Sequence, residues 1–406
     1  MIKLLTYTLL LKTILFASFT GTIIDKNTLQ PISNVTISDT KHSIKTDENG
    51  SFKIESAENK YFVKACGYRP YTFSKDMNQT EVKLDSINVK ALYLSFWRAN
   101  STSQTFKKIL NIIDKSDINA IIVDVKNEYG STSFKTSFEK ANNYGAHKQR
   151  TNRNIAKFMQ MLKDRNIYTI ARIVTFKDEL QASHNPNYAI KNKNGHIWRN
   201  HDKMAWVDPY DKRSHNYTIS IAEEAAKVGF DEINFDYIRF PAKRGLQFSK
   251  KNTQENRIKA IGSFLESAQN RLRKYGVFIS VDTYGNICWS SDDIGIGQTV
   301  ESLAKNADYL APMLYPSGFA KGSFNVRNPS EHPYKVIYRS IKNIKHRIDT
   351  KRLRPWLQHF KDYAHKKRHY RKFEVNQQIK ASDDINTSGW MMWSPSSKYH
   401  LNYFQN

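Results

Sequence analysis

Cysteine is scarce in this chain of 406 residues, which contains only Cys66 and Cys288. Because the two lie in what we predict to be different domains, we expect no disulfide framework and interpret both as small buried hydrophobic residues. Acidic residues are also few, since 38 Asp and Glu face 63 Lys and Arg and leave a formal net charge of +25. A field of this sign favours anionic partners, for example acidic polysaccharide, lipopolysaccharide or the cell envelope.

Motifs of several other functional classes are missing. The sequence has no zinc-finger spacing, no recognition-helix module and no glycine-and-aromatic RNA signature, so we do not expect nucleic acid as a partner. It also has no Gly-x-Ser-x-Gly elbow, which argues against a serine nucleophile. His365 and His369 stand four residues apart, but no acidic ligand accompanies them, so we expect neither a metal nor another cofactor. We interpret the dense basic run Lys366–Lys372 in the same segment as a solvated face.

The first 20 residues place Lys3 before a short apolar run that ends in small residues, which is the pattern of an export signal. The run is short and interrupted by Lys12, so it would not span a bilayer comfortably. We predict a signal peptide over residues 1–20, cleaved near Ala17 to Thr20, with an uncleaved anchor as the alternative. No second long apolar stretch follows, so we expect an exported protein, periplasmic or extracellular, without further membrane insertion.

Residues 21–85 contain short alternating runs separated by turn residues, which predicts a small all-β sandwich. Four motifs of this segment resemble the carboxypeptidase regulatory-like domain: Gly21-x-Ile-x-Asp25, Gln30-Pro-Ile-x-Asn-Val35, Thr46-Asp-Glu-Asn-Gly-x-Phe52 and Ala65-x-Gly-Tyr68. The resemblance implies a spacer or an accessory adhesion unit with no chemistry of its own.

Residues 86–406 alternate between strand and helix patterns. The strand patterns lie at residues 91–97, 120–126, 168–174, 229–241, 277–284, 307–315, 353–360 and 389–394. About eight such units predict an α/β fold, a (β/α)8 TIM barrel that follows the small N-terminal sandwich domain. The alternative is an open doubly wound sheet, but no glycine-rich phosphate loop follows the first strand.

The connection between the third and fourth strands is long and rich in aromatic residues. Such a loop beside a strand end usually builds a binding site, and the alternative is a small subdomain packed on its own aromatics. Asp208 followed by Pro209 has the pattern of a helix N-terminus and predicts that the next helix opens there.

The fourth strand carries the residue on which the functional prediction depends most, Asp236. Ile233, Phe235 and Tyr237 alternate with Asn234 and Asp236, so one face of the strand is apolar and the other polar, and Pro241 is expected to end it. A structural Asp paired with a cation such as Arg239 is the alternative.

Other strands also carry polar residues near their carboxyl ends, where the active site of a barrel lies. They are Asp124 and Lys126 on the second strand with Glu128 just beyond it, Arg172 on the third, Asn234 and Asp236 on the fourth, and Ser280, Asp282 and Tyr284 on the fifth. Members of each set are two residues apart and therefore share one face of their strand. Together they predict a polar barrel mouth.

Asp236 and Asp282 lie on adjacent predicted strands and form the natural pair for cleavage of a glycosidic bond. One carboxyl must be ionised to act as nucleophile or base, and the other must be protonated to donate to the leaving oxygen. Arg172 or Arg239 could hold one of them ionised. Five tryptophans offer flat faces for sugar rings, with core packing as the alternative for the two on the last strand: Trp97, Trp198, Trp206, Trp390 and Trp393.

A series of motifs over about residues 90–400 resembles the putative glycoside hydrolase domain family of exported bacterial proteins. The motifs are Ile122-Val-Asp-Val-Lys126, Ile170-Ala-Arg-Ile-Val174, Phe176-Lys-Asp178, Trp206-Val-Asp-Pro-Tyr210, Phe235-Asp-Tyr-Ile-Arg-Phe-Pro241, Gly295-Ile-Gly-Gln298, Pro312-Met-Leu-Tyr-Pro-Ser317, Arg354-Pro-Trp-Leu-Gln358 and Gly389-Trp-Met-Met-Trp393. The resemblance implies a TIM barrel related to glycosidases that act on polysaccharides. Within these motifs, Lys177, Arg239, Tyr315, Gln358 and Trp393 are further candidates for substrate contact.

We therefore predict a glycoside hydrolase that acts on a cell-envelope or extracellular polysaccharide, with anionic polysaccharides included. Asp236 is the expected nucleophile or base, and Asp282 is the expected proton donor. The alternative is a non-catalytic carbohydrate- or envelope-binding protein on the same scaffold, for which the positive field and the sandwich are equally suitable.

Overall fold

The structure, a computed structural model, describes residues 18–55, 58–74 and 80–405. Most of the predicted signal peptide, residues 1–17, lies outside the described residues. In the three described ranges, no helix is both long enough and apolar enough to cross a membrane.

Two small sheets form the N-terminal unit. Their strands are β1 (Ser18–Asp25), β2 (Thr36–Ser38), β3 (Ser43–Lys45), β4 (Ser51–Glu55), β5 (Lys60–Lys64), β6 (Tyr71–Ser74) and β7 (Glu81–Leu84). One sheet has the order β4-β1-β7 and the other the order β3-β2-β5-β6. Side chains from both sheets, among them Ile23, Tyr61 and Val82, share one buried cluster. The predicted small all-β unit is confirmed, and its relation to the carboxypeptidase regulatory-like domain stays a prediction.

Eight parallel strands then close a barrel in chain order. They are β8 (Val89–Leu94), β9 (Ala120–Lys126), β10 (Tyr168–Val174), β11 (Glu232–Asp236), β12 (Phe278–Tyr284), β13 (Tyr309–Met313), β14 (Trp356–Gln358) and β15 (Gly389–Trp393). The ring closes where β15 pairs with β8. The predicted (β/α)8 barrel is confirmed, and the open sheet is excluded because a closed barrel has no edge strand.

Helices surround the barrel. Those in the described residues are α1 (Gln104–Ile113), α2 (Glu139–Asn143), α3 (Ile155–Lys163), α4 (Glu179–His184), α5 (Lys212–Lys227), α6 (Gln254–Leu272), α7 (Val300–Ala304), α8 (Pro333–Ile344) and α9 (Lys372–Asp384). Alternate strand residues such as Ile121 and Ile173 pack outward against the helices, whereas Ile122 and Ile170 fill the barrel interior. The strands are therefore apolar on both faces in their lower halves, which explains their continuous apolar runs.

Helix α5 begins later than the Asp208-Pro209 pattern predicts. Asp211 is its N-cap and accepts a hydrogen bond from the Arg213 amide at 2.8 Å. The Asp208 carboxylate accepts from the amides of Tyr210 and Ser249 instead, at 3.0 and 2.6 Å. The prediction was wrong because the Asp208 carboxylate binds the amide of Ser249, a residue distant in sequence, and does not cap the helix.

Barrel closure depends on Gly389, the first residue of β15. Its φ is +91°, and a Cβ at this position would lie 1.9 Å from the Val89 carbonyl oxygen on β8. Any larger residue would therefore push the last strand away from the first.

The N-terminal unit contacts the barrel at the amino-terminal ends of its strands. Lys64 forms an ion pair with Asp308 at 2.8 Å, and the Gly67 amide donates to the Tyr309 hydroxyl at 2.9 Å. Both partners lie at the start of β13, so this unit sits opposite the end where the polar side chains gather. Cys66, half-buried at this contact, and the buried Cys288 are both free thiols.

Candidate active site

Arg172 lies at the centre of a carboxylate cluster at the carboxyl ends of β9, β10 and β11. Its Nη1 donates to Asp124 Oδ1 at 2.6 Å, and its Nη2 donates to Asp236 Oδ2 at 2.5 Å and to Glu128 Oε1 at 3.1 Å. The guanidinium is buried, so one cation organises three predicted site residues from neighbouring strands. Planar guanidinium geometry permits such simultaneous contacts, which a lysine could not make.

Glu128 and Asp124 respond differently to this cation. Burial opposes ionisation of Glu128, but the Arg172 charge holds the pKa of its carboxyl below the usual range. Burial raises the pKa of Asp124 to about 6, because the attraction of Arg172 only partly offsets the loss of solvent and the Glu128 charge adds repulsion. The cluster therefore separates the proton affinities of neighbouring carboxyls.

Asp236 is the last residue of β11. A second hydrogen bond from Arg172, from Nε at 3.0 Å, ends on the same Oδ2, and the Tyr237 amide donates to Oδ1 at 2.6 Å. The chain turns sharply here, because Tyr237 has a φ of +48°, a conformation that non-glycine residues rarely adopt. The strand therefore ends at Asp236 and not at Pro241 as predicted. The Asp236 side chain keeps 10% of its surface accessible to solvent.

Asp282 lies on the adjacent strand β12. Its Oδ1 accepts hydrogen bonds from Trp356 Nε1 at 2.6 Å and from Asn234 Nδ2 at 2.8 Å. Burial, together with the negative charge of Asp236, raises the pKa of Asp282 well above its ordinary value. The protonated form of Asp282 is therefore favoured beside an Asp236 that receives charge-assisted hydrogen bonds.

Aromatic rings form the wall on the β15 side. Trp393 stacks on Tyr93 with ring centroids 4.0 Å apart, and the Arg172 guanidinium lies 5.2 Å from the Trp393 ring. Tyr315 is half-buried after β13, and burial together with the charges of Asp282 and Asp236 raises the pKa of its hydroxyl. The predicted residues Trp393 and Tyr315 therefore lie beside the carboxyls.

Sequence reasoning missed two members of this site. Tyr93 donates its hydroxyl to Asp124 Oδ2 at 3.1 Å, and Trp356 holds Asp282. Both lie on predicted strands. The two-residue alternation could have placed their side chains in the barrel interior, since Tyr93, for example, is two residues from Ala91 and shares its face of β8.

Lys126 was predicted to contact substrate, and the structure contradicts this. The pairing of β9 with β10 shifts by one residue after Arg172. The Lys126 ammonium forms a fully buried ion pair with Asp178 at 2.8 Å and donates to the Val174 carbonyl at 2.6 Å. It therefore fastens the loop after β10 and does not face the mouth.

Gln358 is a second correction. Its side chain is buried, donates to Ser317 Oγ at 2.7 Å and accepts from the Ser317 amide at 3.1 Å. Gln358 therefore holds the loop after β13 in place, because both ends of its amide are engaged by the protein.

Lys177 and Arg239 lie beside Tyr237. The Lys177 ammonium is 4.8 Å from the Tyr237 ring and forms an ion pair with Asp202 at 3.0 Å. The Arg239 guanidinium stacks on Trp206 and Tyr237 at 5.2 and 5.3 Å. Arg172 is thus the cation that binds Asp236, while Lys177 and Arg239 support the strained turn that follows it.

The predicted tryptophans divide into two groups. Trp206 and Trp390 are buried, and Trp198 packs at the edge of the same core. Of the two on the last strand, core packing therefore holds for Trp390, whereas Trp393 lies beside Arg172. Trp97 is exposed just after β8. Other exposed aromatics follow strand ends in the same way, and we call the set the aromatic rim: Trp97, Tyr129, Tyr284, Trp289 and Tyr363.

The arrangement offers two carboxyls on adjacent strands, one bound by Arg172 and one with a raised pKa, which is the composition needed for acid-assisted attack on an acetal. Asn234, which donates to Asp282, also donates from the same Nδ2 to Ser280 Oγ at 2.9 Å, so it contacts two polar side chains of β12. In the described parts of the chain, no group of three or more His, Cys, Asp or Glu side chains is arranged to hold a metal ion.

The model of the family described as "Putative glycosyl hydrolase domain" matches residues 91–399. The chain belongs to this family. The match covers all eight barrel strands except the first two residues of β8, and it includes every side chain of the carboxylate cluster. No protein of curated function matches the chain.

Solved structures similar to this member of the glycosyl hydrolase domain family include a hypothetical protein from Ruminiclostridium thermocellum ATCC 27405. It is 34% identical, with 47% of this chain and 96% of that chain covered and a TM-score of 0.42. The glycoside hydrolase domain of PgaB (BpsB) from Bordetella bronchiseptica is 11% identical, with 76% and 94% covered and a TM-score of 0.53. At this identity, the second similarity shows the fold alone.

Proposed function

We propose that this protein hydrolyses glycosidic bonds, with Asp282 as proton donor and Asp236 as nucleophile or base. The observation that carries the proposal is the contrast between the two carboxyls on neighbouring strands. Arg172 donates two hydrogen bonds to Asp236, whereas burial beside Asp236 raises the pKa of Asp282. Such opposite environments are what acid and base assignments at one site require.

In the reaction, Asp282 transfers its proton to the glycosidic oxygen as the bond to the anomeric carbon breaks. Asp236 either attacks the anomeric carbon or takes a proton from the attacking water. The Arg172 guanidinium orients Asp236, and Tyr237 fixes its second oxygen. Because Asp236 retains exposure while Asp282 lies deeper, the substrate would approach along the Asp236 side.

We propose a polysaccharide of the cell envelope or the extracellular matrix as substrate. The net charge of +25 favours anionic polymers. The exposed aromatic rim, which includes Trp97, Tyr284 and Tyr363, offers flat surfaces for sugar rings.

Asp236→Asn and Asp282→Asn, assayed against a panel of envelope and biofilm polysaccharides, test the assignment. Wild type should release reducing ends from at least one polymer, and each variant should lose about 10²-fold or more of kcat/KM. Asp117→Asn, an exposed carboxyl at the opposite end of the barrel, is the matched control and should keep full activity. Full activity in both site variants would contradict the assignment.

A non-catalytic carbohydrate-binding protein is the second candidate. It is favoured by the small exposure of Asp282 and by the engagement of both carboxyls with protein donors. Saturable binding of a polysaccharide with no product at high protein concentration would support this candidate over hydrolysis.

We also propose that the protein is exported, with residues 21–85 as an accessory unit and residues 86–406 as the unit that carries the chemistry. Phe19 of β1 packs on Tyr61 and Phe73 with ring centroids 5.7 and 5.5 Å apart, and on this ground we propose that the signal is cleaved at or before Ser18. Amino-terminal sequencing of the protein from the culture medium or the periplasm tests both points, and a chain that stays in the cytoplasm would contradict export.

A further inference from the structure

The loops that follow β14 and β15 face each other at the carboxyl end of the barrel. They begin together, because the His359 amide donates to the Trp393 carbonyl at 2.9 Å. A cavity of about 300 Å³ lies between these loops.

Positively charged and imidazole side chains dominate the lining of this cavity. They are His359, Lys361, His369, Arg371, Lys398 and His400. Ser394 and Ser396 also line the cavity, and the Ser394 hydroxyl donates to the Lys398 carbonyl at 3.2 Å. No Asp or Glu lies among the described residues that line it.

Three carboxylates near the basic run are engaged by other protein groups: Asp362 in the first loop, Glu374 on α9 and Glu331 in the segment before α8. Glu374 pairs with Arg368 at 2.6 Å, Glu331 pairs with Lys366 at 2.7 Å, and the Asp362 carboxylate accepts amide hydrogen bonds within the loop. Over residues 18–55, 58–74 and 80–405, Lys361, Arg371 and Lys398 form no ion pair with a carboxylate. The basic run is therefore only partly neutralised by its own fold, and one of its unpaired cations, Arg371, lines the cavity.

His359 contributes a buried nitrogen that has no partner. Its Nε2 is buried and makes no hydrogen bond to any described residue, while its ring packs on Tyr399 and Tyr403 at 5.1 and 5.6 Å. Burial lowers the pKa of this imidazole to about 4, so near neutral pH it is uncharged and can donate one N–H. A buried polar atom without a partner needs a ligand or a water to satisfy it.

We propose that this cavity binds a phosphate group carried by the polysaccharide substrate. In (β/α)8 barrels, the loops after the seventh and eighth strands frequently form a phosphate site. Lys361, Arg371 and Lys398 line one cavity without a carboxylate, which suits a tetrahedral oxyanion because each oxygen can accept from a different cation. The inference deepens the proposed function and rests on it for the nature of the substrate.

Two residues of the cavity lining adjoin side chains of the barrel mouth. Phe360 lines the cavity and lies 5.3 Å, ring to ring, from Tyr315, which stands beside Asp282. Ser394 of the cavity directly follows Trp393 of the aromatic wall. A phosphate held here would therefore fix a sugar unit near the bond to be cleaved.

Calorimetric titration of the full chain with inorganic phosphate tests the site, with chloride at equal ionic strength as reference. The double variant Lys361→Glu and Lys398→Glu should weaken phosphate binding at least tenfold. Lys367→Glu makes the charge change of one of these two substitutions in the loop of Lys361 but outside the cavity lining, and should bind as wild type. Lys398→Gln is the milder variant, and circular dichroism reports whether each variant folds. Unchanged phosphate binding in folded Lys361 and Lys398 variants would overturn the site.

The source of the phosphate is tested with three probes: a phosphorylated polysaccharide, the same polymer after phosphatase treatment, and vesicles of anionic phospholipid. We expect the cavity variants to lose binding of the phosphorylated polymer alone. Variant-sensitive binding of the vesicles instead would assign the cavity to a lipid headgroup and overturn the proposal. Equal binding of the polymer before and after phosphatase treatment would also overturn the proposal.

Asp236→Asn separates this inference from the proposed hydrolysis. It should bind inorganic phosphate with the wild-type Kd even when it cleaves nothing. If wild type binds phosphate but hydrolyses nothing, the hydrolase proposal is refuted and the phosphate site stands. If wild type hydrolyses a polymer but does not bind phosphate, the phosphate site is refuted and the hydrolase proposal stands.

Discussion

Arg172 holds one oxygen of Asp236 from two nitrogens, with Nη2 at 2.5 Å and Nε at 3.0 Å from Oδ2. The same guanidinium reaches Asp124 and Glu128 through its remaining donors. A single side chain from β10 therefore sets the position of carboxyls from β9 and β11.

Arg172→Lys should keep the charge but lose the two-nitrogen contact with Asp236. We expect kcat to fall by about 10²-fold, because misplacement of a reacting group by about 1 Å has effects of this size. Arg172→Met should lower the free energy of unfolding by about 3–5 kcal/mol, since it leaves buried carboxylates without their cation. Kinetics and urea denaturation measure the two effects. Arg199→Lys, at an exposed ion pair with Glu179, is the control and should change neither.

Trp356→Phe removes the indole donor to Asp282. This hydrogen bond lowers the pKa of Asp282, against the larger raising effects of burial and the Asp236 charge, so its loss should raise that pKa further. Activity that needs protonated Asp282 falls as the pH rises through this pKa, and the alkaline limb of kcat/KM should therefore move to higher pH. Trp390→Phe on the neighbouring strand, buried in the outer core, should leave the limb in place. A shift to lower pH in Trp356→Phe would contradict the role of Asp282.

Asp124 should make stability depend on pH. Burial raises the pKa of its carboxyl to about 6, whereas an unfolded Asp titrates at about 3.9. The stabilisation from this group is complete below the unfolded pKa and is lost as the pH rises through about 6. Asp124→Asn should abolish a stability loss of up to about 3 kcal/mol between acidic and neutral pH, measured by urea denaturation. An identical pH dependence in wild type and variant would show that Asp124 ionises normally.

Lys126→Met should destabilise the fold without changing substrate affinity. The substitution leaves Asp178 buried without its cation, which should cost about 3–5 kcal/mol of unfolding free energy. The double variant Lys126→Met and Asp178→Asn should recover most of this loss, because Asn keeps the cap that Asp178 gives to α4. Urea denaturation measures the recovery, and KM is determined on the folded fraction. A large rise in KM with normal stability would restore Lys126 to the substrate site.

Strand positions could be predicted well because they depend on local pattern. The runs at residues 120–126 and 168–174 correspond to β9 and β10 without adjustment, and Asp282 lies on β12 next to the strand of Asp236 as expected. The end of β11 was placed too late, because the left-handed turn lies at Tyr237 and not at a glycine, which is the residue that would have predicted such a turn.

The amino-acid sequence by itself determined the closed ring of eight parallel strands, the separate all-β unit and the face of each strand that carries polar groups, since a two-residue alternation and strand count are properties of the chain. Only the tertiary structure decided which of those groups meet. Lys126 pairs with Asp178, and Gln358 binds Ser317 in the loop after β13. Tyr93 and Trp356 donate hydrogen bonds to Asp124 and Asp282. These contacts depend on the stagger of neighbouring strands and on residues distant in sequence, and neither is encoded in the pattern of any one segment.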